Sequence, residues 1–374
     1  MLFRSLTPVC YPPPEGKTLP DLLVEELRKD AAELGGKAPS PSPSQRDQRD
    51  GATAPGSCHS GKRIYRYVLY CVPTFGNPTG TTWDFETRRR IVETARKWDI
   101  LVICDDVYDF LTWRTPTSPP PSPPPPRLVT LDRQLIQSLS PSPLLNTGNV
   151  ISNCSFSKLL GPGLRCGWQE TASPVLARQL ARGGANHSGG APSHFVSSII
   201  HQLLRKPNLA TFTTSPPRRP IEEIIEKIAT VLGHRVQMIT EAIRKHLPPQ
   251  AEILTFSLPS QTATPPAGVP TGGGYFLWLA LGPPHPHPDA LNVREVVKLA
   301  AQGEHGKMNI VNVAPGDLFE CPGAGNQIGA GDRWVRLAVS YCGGVEAVEG
   351  IRRLGVAVER WKRGERPTWG EHGR

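Results

Sequence analysis

A chain of 374 residues, 38% hydrophobic and carrying 41 prolines, is long enough for one large domain and a smaller one. Its net charge is +9, and much of the basic charge sits in helices and the tail, at Arg88-Arg89-Arg90, Arg352-Arg353 and Arg360 with Lys362-Arg363. These have no helix-turn-helix or zinc pattern beside them, so a solvated basic surface is expected and nucleic-acid binding is not. No apolar run is long enough to span a membrane. The eight cysteines (Cys10, Cys58, Cys71, Cys104, Cys154, Cys166, Cys321 and Cys342) show no CxxC spacing; several fall in predicted buried strands, which points to reduced thiols in an intracellular, cytoplasmic protein.

Along the chain, Met1-Leu2-Phe3-Arg4-Ser5-Leu6 has some character of a mitochondrial presequence, but Glu15, Asp21 and several prolines interrupt it. A turn at Pro12–Gly16 leads to a predicted helix from Leu19 to Leu34. Gly35–Lys62 is rich in Pro, Ser, Gly, Gln and Arg and cannot bury enough apolar surface to offset its ordering entropy, so a disordered insertion is expected. A β-rich run from Ile64 to Tyr70 ends in Val72-Pro73-Thr74-Phe75-Gly76-Asn77-Pro78-Thr79-Gly80, where the Asn-Pro and Thr-Gly steps mark turns. Asp84 is placed to cap a helix with Ile91, Ala95 and Trp98 on one face. A strand over Leu101–Cys104 completes a strand–helix–strand unit of the parallel kind, and it runs into Asp105-Asp106-Val107-Tyr108. The tract Pro116–Pro126 reads as an extended surface insertion. Further helices are expected near Pro174–Arg182, over Ser193–Leu204 and from Pro220 to His246. Strands are expected near Ile253, at Gly274–Leu281, Ile310–Val313 and Val335–Tyr341, with a last helix over Val345–Trp361. His187, His194, His285 and His287 have no neighbours that would complete a metal site.

The most informative stretch is Ser155-Phe156-Ser157-Lys158-Leu159-Leu160-Gly161-Pro162-Gly163-Leu164-Arg165-Cys166-Gly167-Trp168. A lysine there can form a Schiff base with an aldehyde cofactor. A serine three residues before it and an arginine seven after it can bind that cofactor's phosphate. Asp105 ends a strand, where ligand groups gather in α/β sheets, although a helix cap would also suit it. Tyr108 alone could be a packing aromatic.

Taken together, these segments resemble the class I/II pyridoxal-phosphate aminotransferases of fold type I. The SxSKxxxPGxRxGW spacing and the Gly273-Gly274-Tyr275-Phe276-Leu277-Trp278 strand are most similar to the aminoadipate/kynurenine and aromatic branch. The resemblance covers residues 62 to 362 apart from the second proline tract. It implies an α/β fold with a mainly parallel large domain over 63–215 and a smaller α+β domain over 216–374, after a remnant and insertion over 1–62. It implies pyridoxal 5'-phosphate as cofactor, with Lys158 as the catalytic lysine. Asp105 would face the ring nitrogen, Asn77 and Tyr108 the phenolic oxygen, and Ser155, Ser157 and Arg165 the phosphate. Arg336, in Arg333-Trp334-Val335-Arg336-Leu337, would bind the substrate's α-carboxylate, after the element Val313-Ala314-Pro315-Gly316-Asp317-Leu318-Phe319, and Asn77 would also contact the substrate. Amino-acid and 2-oxo-acid substrates and a homodimer follow from the same resemblance.

The pattern departs from the family before Ile64. Complete members carry a long region there, with a phosphate-binding helix start and an aromatic that stacks on the cofactor. Here about sixty residues precede Ile64, and Gly35-Gly36 is followed by no helical pattern. The expectation is an aminotransferase impaired by a missing region, with poor cofactor binding and an exposed sheet edge. A noncatalytic binding protein of the same fold, or another pyridoxal-phosphate reaction such as a lyase or synthase, are the alternatives.

Overall fold

A computed structural model describes residues 16–33, 64–114, 124–138, 147–183, 194–205, 218–254, 272–303, 309–320 and 333–368. Gly35–Lys62, most of Pro116–Pro126 and His187 lie outside these residues. The chain divides into two compact units. One comprises residues 1–73, 83–107 and 124–225, the other 74–82, 108–123 and 226–374.

The first unit is built on four strands in spatial order β1 (Tyr67–Cys71), β2 (Ile100–Asp105), β3 (Val150–Ser155) and β4 (Gly167–Thr171). The first three are parallel and β4 is antiparallel to β3. Parallel neighbours need crossover helices, and α2 (Phe85–Trp98) and α3 (Leu128–Ser138) supply them. Strand alternation sends Cys71, Ile100, Val102, Cys104 and Val150 to one face. There they pack with Ile91, Val92, Ala95 and Trp98 of α2, Leu128, Val129 and Leu131 of α3, and Leu23, Leu27 and Ala31 of α1 (Leu19–Glu33). The opposite face carries Ile151 packed on Leu176 and Leu180 of α4 (Pro174–Ala181). Across the first face, the Cys71 and Cys104 sulfurs lie 3.8 Å apart; contact with Cys71, and then burial, push the Cys104 thiol well above its ordinary range.

The start of α2 is as expected, with the Asp84 carboxylate accepting from Thr87 N at 2.7 Å, a cap of about 1 kcal/mol. The basic run inside α2 corrects the expectation of a solvated face. Arg88 is fully buried. Its Nε donates to Trp83 O at 2.9 Å, Nη2 to Pro73 O at 3.0 Å and Nη1 to Pro126 O at 3.3 Å. Trp83 N also donates to Pro73 O at 2.9 Å. Arg88 thus ties together the residues that directly precede and follow 74–82.

Two further elements had no expectation attached, α3 and β4. Helix α5 spans His194–Leu204, and α6 runs from Pro220 to His246.

The second unit holds an antiparallel sheet in the order β5 (Glu252–Ile253), β6 (Phe276–Ala280), β8 (Trp334–Ala338) and β7 (Ala314–Pro315). Its core joins Leu277, Leu279, Val335 and Leu337 to α6, to Val293, Val296 and Leu299 of α7 (Val293–Gln302), and to Ile351, Leu354 and Val358 of α8 (Gly344–Lys362). The expected strand at Ile310–Val313 does not form. Val311 N donates to Ala300 O in α7 at 3.0 Å, and Val311 and Val313 pack on the core from a loop. Among the described residues, no helix is long and apolar enough to cross a membrane.

Candidate active site

The motif residues fall into two groups, one in each unit. In the first unit, Asp105 and Ser155 are the last residues of β2 and β3, at the carboxyl ends of parallel strands where ligands collect. The chain leaves β3 into a short 3-10 turn, Phe156–Lys158, and Ser155 Oγ caps it by accepting from Ser157 N at 3.0 Å. A second turn, Pro162–Leu164, follows, and Arg165 closes it at φ 47°. Phe156 N donates to Cys166 O at 3.1 Å, and its ring lies 4.6 Å from Trp168. The loop bearing Lys158 is therefore pinned at its base by β3–β4 pairing. Gly167 makes that pairing possible, since a Cβ there would sit 2.5 Å from Cys154 O. Lys158, Ser155 and Ser157 are half-buried and Arg165 is exposed.

Asp105 is half-buried. Its Oδ2 accepts from the Tyr70 hydroxyl at 3.0 Å and its Oδ1 from Asn153 Nδ2 at 3.4 Å. Both partners are neutral, so the carboxylate is solvated by them without being matched by their charge, and lone pairs remain on both oxygens. A carboxylate so held suits a protonated ring nitrogen. The hydroxyl of Ser155, already accepting, keeps its own proton to donate, as a phosphate requires. One lysine, one carboxylate, two hydroxyls and an arginine at strand ends are a donor set that fits pyridoxal phosphate.

The second unit holds Asn77, Tyr108 and Arg336. Arg336 lies on β8 opposite Trp278 and Ala314, on the face turned from the helices. Its guanidinium carbon is 4.4 Å from the Phe276 ring centre and 4.6 Å from that of Phe319. Nη1 donates to Asn77 Oδ1 at 2.8 Å, whereas Nε is buried with no hydrogen-bond partner. Burial lowers the arginine's pKa from its ordinary value, and Tyr108 opposes the shift. Behind the clamp, Trp278 meets Phe319 edge-on at 5.8 Å and stacks on Trp334 at 5.8 Å. Tyr108 is buried, with its ring 5.7 Å from Tyr275 and 6.0 Å from Phe276. Asn77 and Arg336, the two residues assigned to the substrate by resemblance, are thus joined by a hydrogen bond. The ring walls Phe276 and Phe319 had no role assigned from sequence, nor did Tyr70 and Asn153. The β-rich run from Ile64 put Tyr70 on a strand, but only register puts it beside Asp105.

Residues 64–325 match the family model for Aminotransferase class I and II. An uncharacterized protein of Saccharomyces cerevisiae is 38% identical over 302 residues, covering 80% of this chain and 57% of the yeast protein. An uncharacterized aminotransferase of Saccharolobus solfataricus is 26% identical over 301 residues, 80% of this chain and 58% of that protein. The mitochondrial kynurenine/alpha-aminoadipate aminotransferase of Bos taurus is 33% identical over 136 residues, 36% of this chain and 27% of the bovine protein. The chain therefore spans under two thirds of the length of these relatives. Among solved structures, alpha-aminoadipate aminotransferase from Thermus thermophilus, complexed with N-(5'-phosphopyridoxyl)-L-leucine, aligns with a TM-score of 0.55 at 22% identity over 80% of this chain and 60% of that one. Kynurenine aminotransferase from Pyrococcus horikoshii aligns at 0.52 and 21% identity, over 91% and 60%. By family match and by its α/β fold, the chain belongs to the class I and II aminotransferases.

Proposed function

We propose that this protein is a pyridoxal-5'-phosphate-dependent aminotransferase that moves an amino group between an amino acid and a 2-oxo acid. The observation that carries the reading is Arg336, a half-buried guanidinium between two phenyl faces with one nitrogen on Asn77 and Nε buried without a partner. A cation in such a place is costly unless an anion completes it. The planar fork of an arginine pairs both oxygens of a carboxylate, and amino acids and 2-oxo acids share an α-carboxylate. Relatives named for kynurenine, alpha-aminoadipate and aromatic amino acids support substrates of that branch.

When bound, the cofactor supplies an electron sink for the substrate carbon that bears nitrogen. Asp105 would keep the ring nitrogen protonated, because an opposite charge favours the charged form. Asn77 and Tyr108 would hydrogen-bond the ring oxygen. Ser155, Ser157 and Arg165 would hold the phosphate through charge-assisted bonds. Lys158 would hold the aldehyde carbon at rest; as a free amine, its Nζ would take the proton from the substrate carbon. In this reading residues 63–215 are the cofactor-binding domain and 216–374 the small domain. The active form is a homodimer, as the resemblance implies, and the cysteine usage suits the cytoplasm.

The test is chemical. The protein is incubated with pyridoxal phosphate, reduced with borohydride and mapped by mass spectrometry. A pyridoxyl group on Lys158 is expected, and an amino-acid/2-oxo-acid exchange assay separates transamination from the lyase and synthase alternatives. A label on another lysine would remove the assignment.

A further inference from the structure

One face of the first unit's sheet carries a polar row across all four strands. Asp105 on β2 is the register partner of Asn153 on β3, and Asn153 that of Gln169 on β4. Tyr70 on β1 is paired with Ile103 and so lies on the same face, one diagonal step from Asp105. The contacts run inward from both ends. Gln169 Nε2 donates to Asn153 Oδ1 at 3.5 Å, Asn153 Nδ2 to Asp105 Oδ1 at 3.4 Å, and the Tyr70 hydroxyl to Asp105 Oδ2 at 3.0 Å. Gln169 sets the direction of the row. By donating to the Asn153 oxygen it turns the Asn153 amide hydrogens toward the carboxylate, where the flipped amide would set oxygen against oxygen.

We propose that Tyr70, Asn153 and Gln169 are positioning residues that hold the Asp105 carboxylate fixed in orientation for a protonated ring nitrogen. The proposal rests on the role given to Asp105 above. Neutral donors orient the carboxylate without competing as counter-ions, so its negative charge stays available to a cationic ring. An arginine or lysine in their place would occupy that charge. Fixing both oxygens from neighbouring strands also removes rotamer freedom, which is what a preorganised site needs. Tyr70 is 64% exposed, so its hydroxyl can be removed with little effect on the core.

Dissociation constants for pyridoxal 5'-phosphate and for its 1-deaza analogue, whose ring has carbon in place of nitrogen, separate positioning from general support of the fold. Tyr70→Phe and Asn153→Val are expected to weaken pyridoxal phosphate by about tenfold and the analogue by less than about twofold. Equal weakening of both compounds, or of neither, overturns the proposal. Asp105→Asn tests the reading beneath it. If Asp105→Asn discriminates between the compounds and the other variants do not, the positioning row fails and the Asp105 role stands. If Asp105→Asn does not discriminate, the Asp105 role fails and the row with it.

Discussion

Arg336 shows how a single residue can be worse for the fold than for the function. Its guanidinium has two ring faces and one amide oxygen, but Nε makes no hydrogen bond. Replacing a buried charge by an apolar side chain of similar volume is often neutral or stabilising. Arg336→Met is therefore expected to leave the melting temperature unchanged or raised, while weakening 2-oxo-acid binding by at least about tenfold through loss of the bidentate pair. Thermal unfolding and calorimetric titration with a 2-oxo acid check the two halves. A large drop in melting temperature would mean that the arginine is a structural member of the clamp.

At the scale of elements, α2 has two tasks. Its apolar stripe covers the sheet, and Arg88, one turn in, binds three backbone carbonyls. Pro73 O keeps its bond from Trp83 N, but the carbonyls of Trp83 and Pro126 would lose this partner at about 1–3 kcal/mol each. Arg88→Met should therefore lower unfolding stability by about 3 kcal/mol, measured by urea titration. Arg88→Lys should recover only part of this, since one ammonium cannot reproduce the fork. The junction of α1 with α2 is electrostatic at its rim, where Asp21 Oδ1 lies 2.6 Å from Arg90 Nη2. The bond from Thr18, and then that from Arg90, lower the Asp21 carboxyl from 3.8 to about 2. A depressed carboxylate contributes above its unfolded value and ceases to as pH falls through its folded value. The contact is thus expected to hold at pH 5 and to weaken between about 4 and 2, by a small amount because the pair is exposed. Amide exchange along α1 should quicken over that window in the native protein, and Asp21→Asn should flatten the response.

At the scale of the whole molecule, β1 is an edge. Among the described residues it pairs only with β2, and it exposes Val68 and Tyr70. An edge strand with apolar side chains invites another strand, and a lysine on it blocks such pairing. Val68→Lys is expected to reduce self-association in light scattering without changing the far-ultraviolet circular dichroism. If association persists, it uses a different surface.

Much of this was legible from local pattern. The lysine stretch, the Asn-Pro turn, the strand ending in Asp105 and the arginine strand identify the family, because each motif is contiguous in sequence. Helices α1, α2, α6 and α8 followed from spacing and caps, which act over one or two turns. What crosses between elements was not legible. The burial of Arg88 depends on carbonyls of Pro73 and Pro126, far from it in sequence. The phenyl walls of Arg336 come from two other segments. The Tyr70–Asp105–Asn153–Gln169 row exists only because four strands share one register, a relation that no residue's neighbours along the chain encode. Ile310–Val313 has strand chemistry yet is drawn to α7, where a helix carbonyl takes its amide. Local propensity determined which segments are regular. Tertiary structure decided which polar groups meet, because those hydrogen bonds are made between segments.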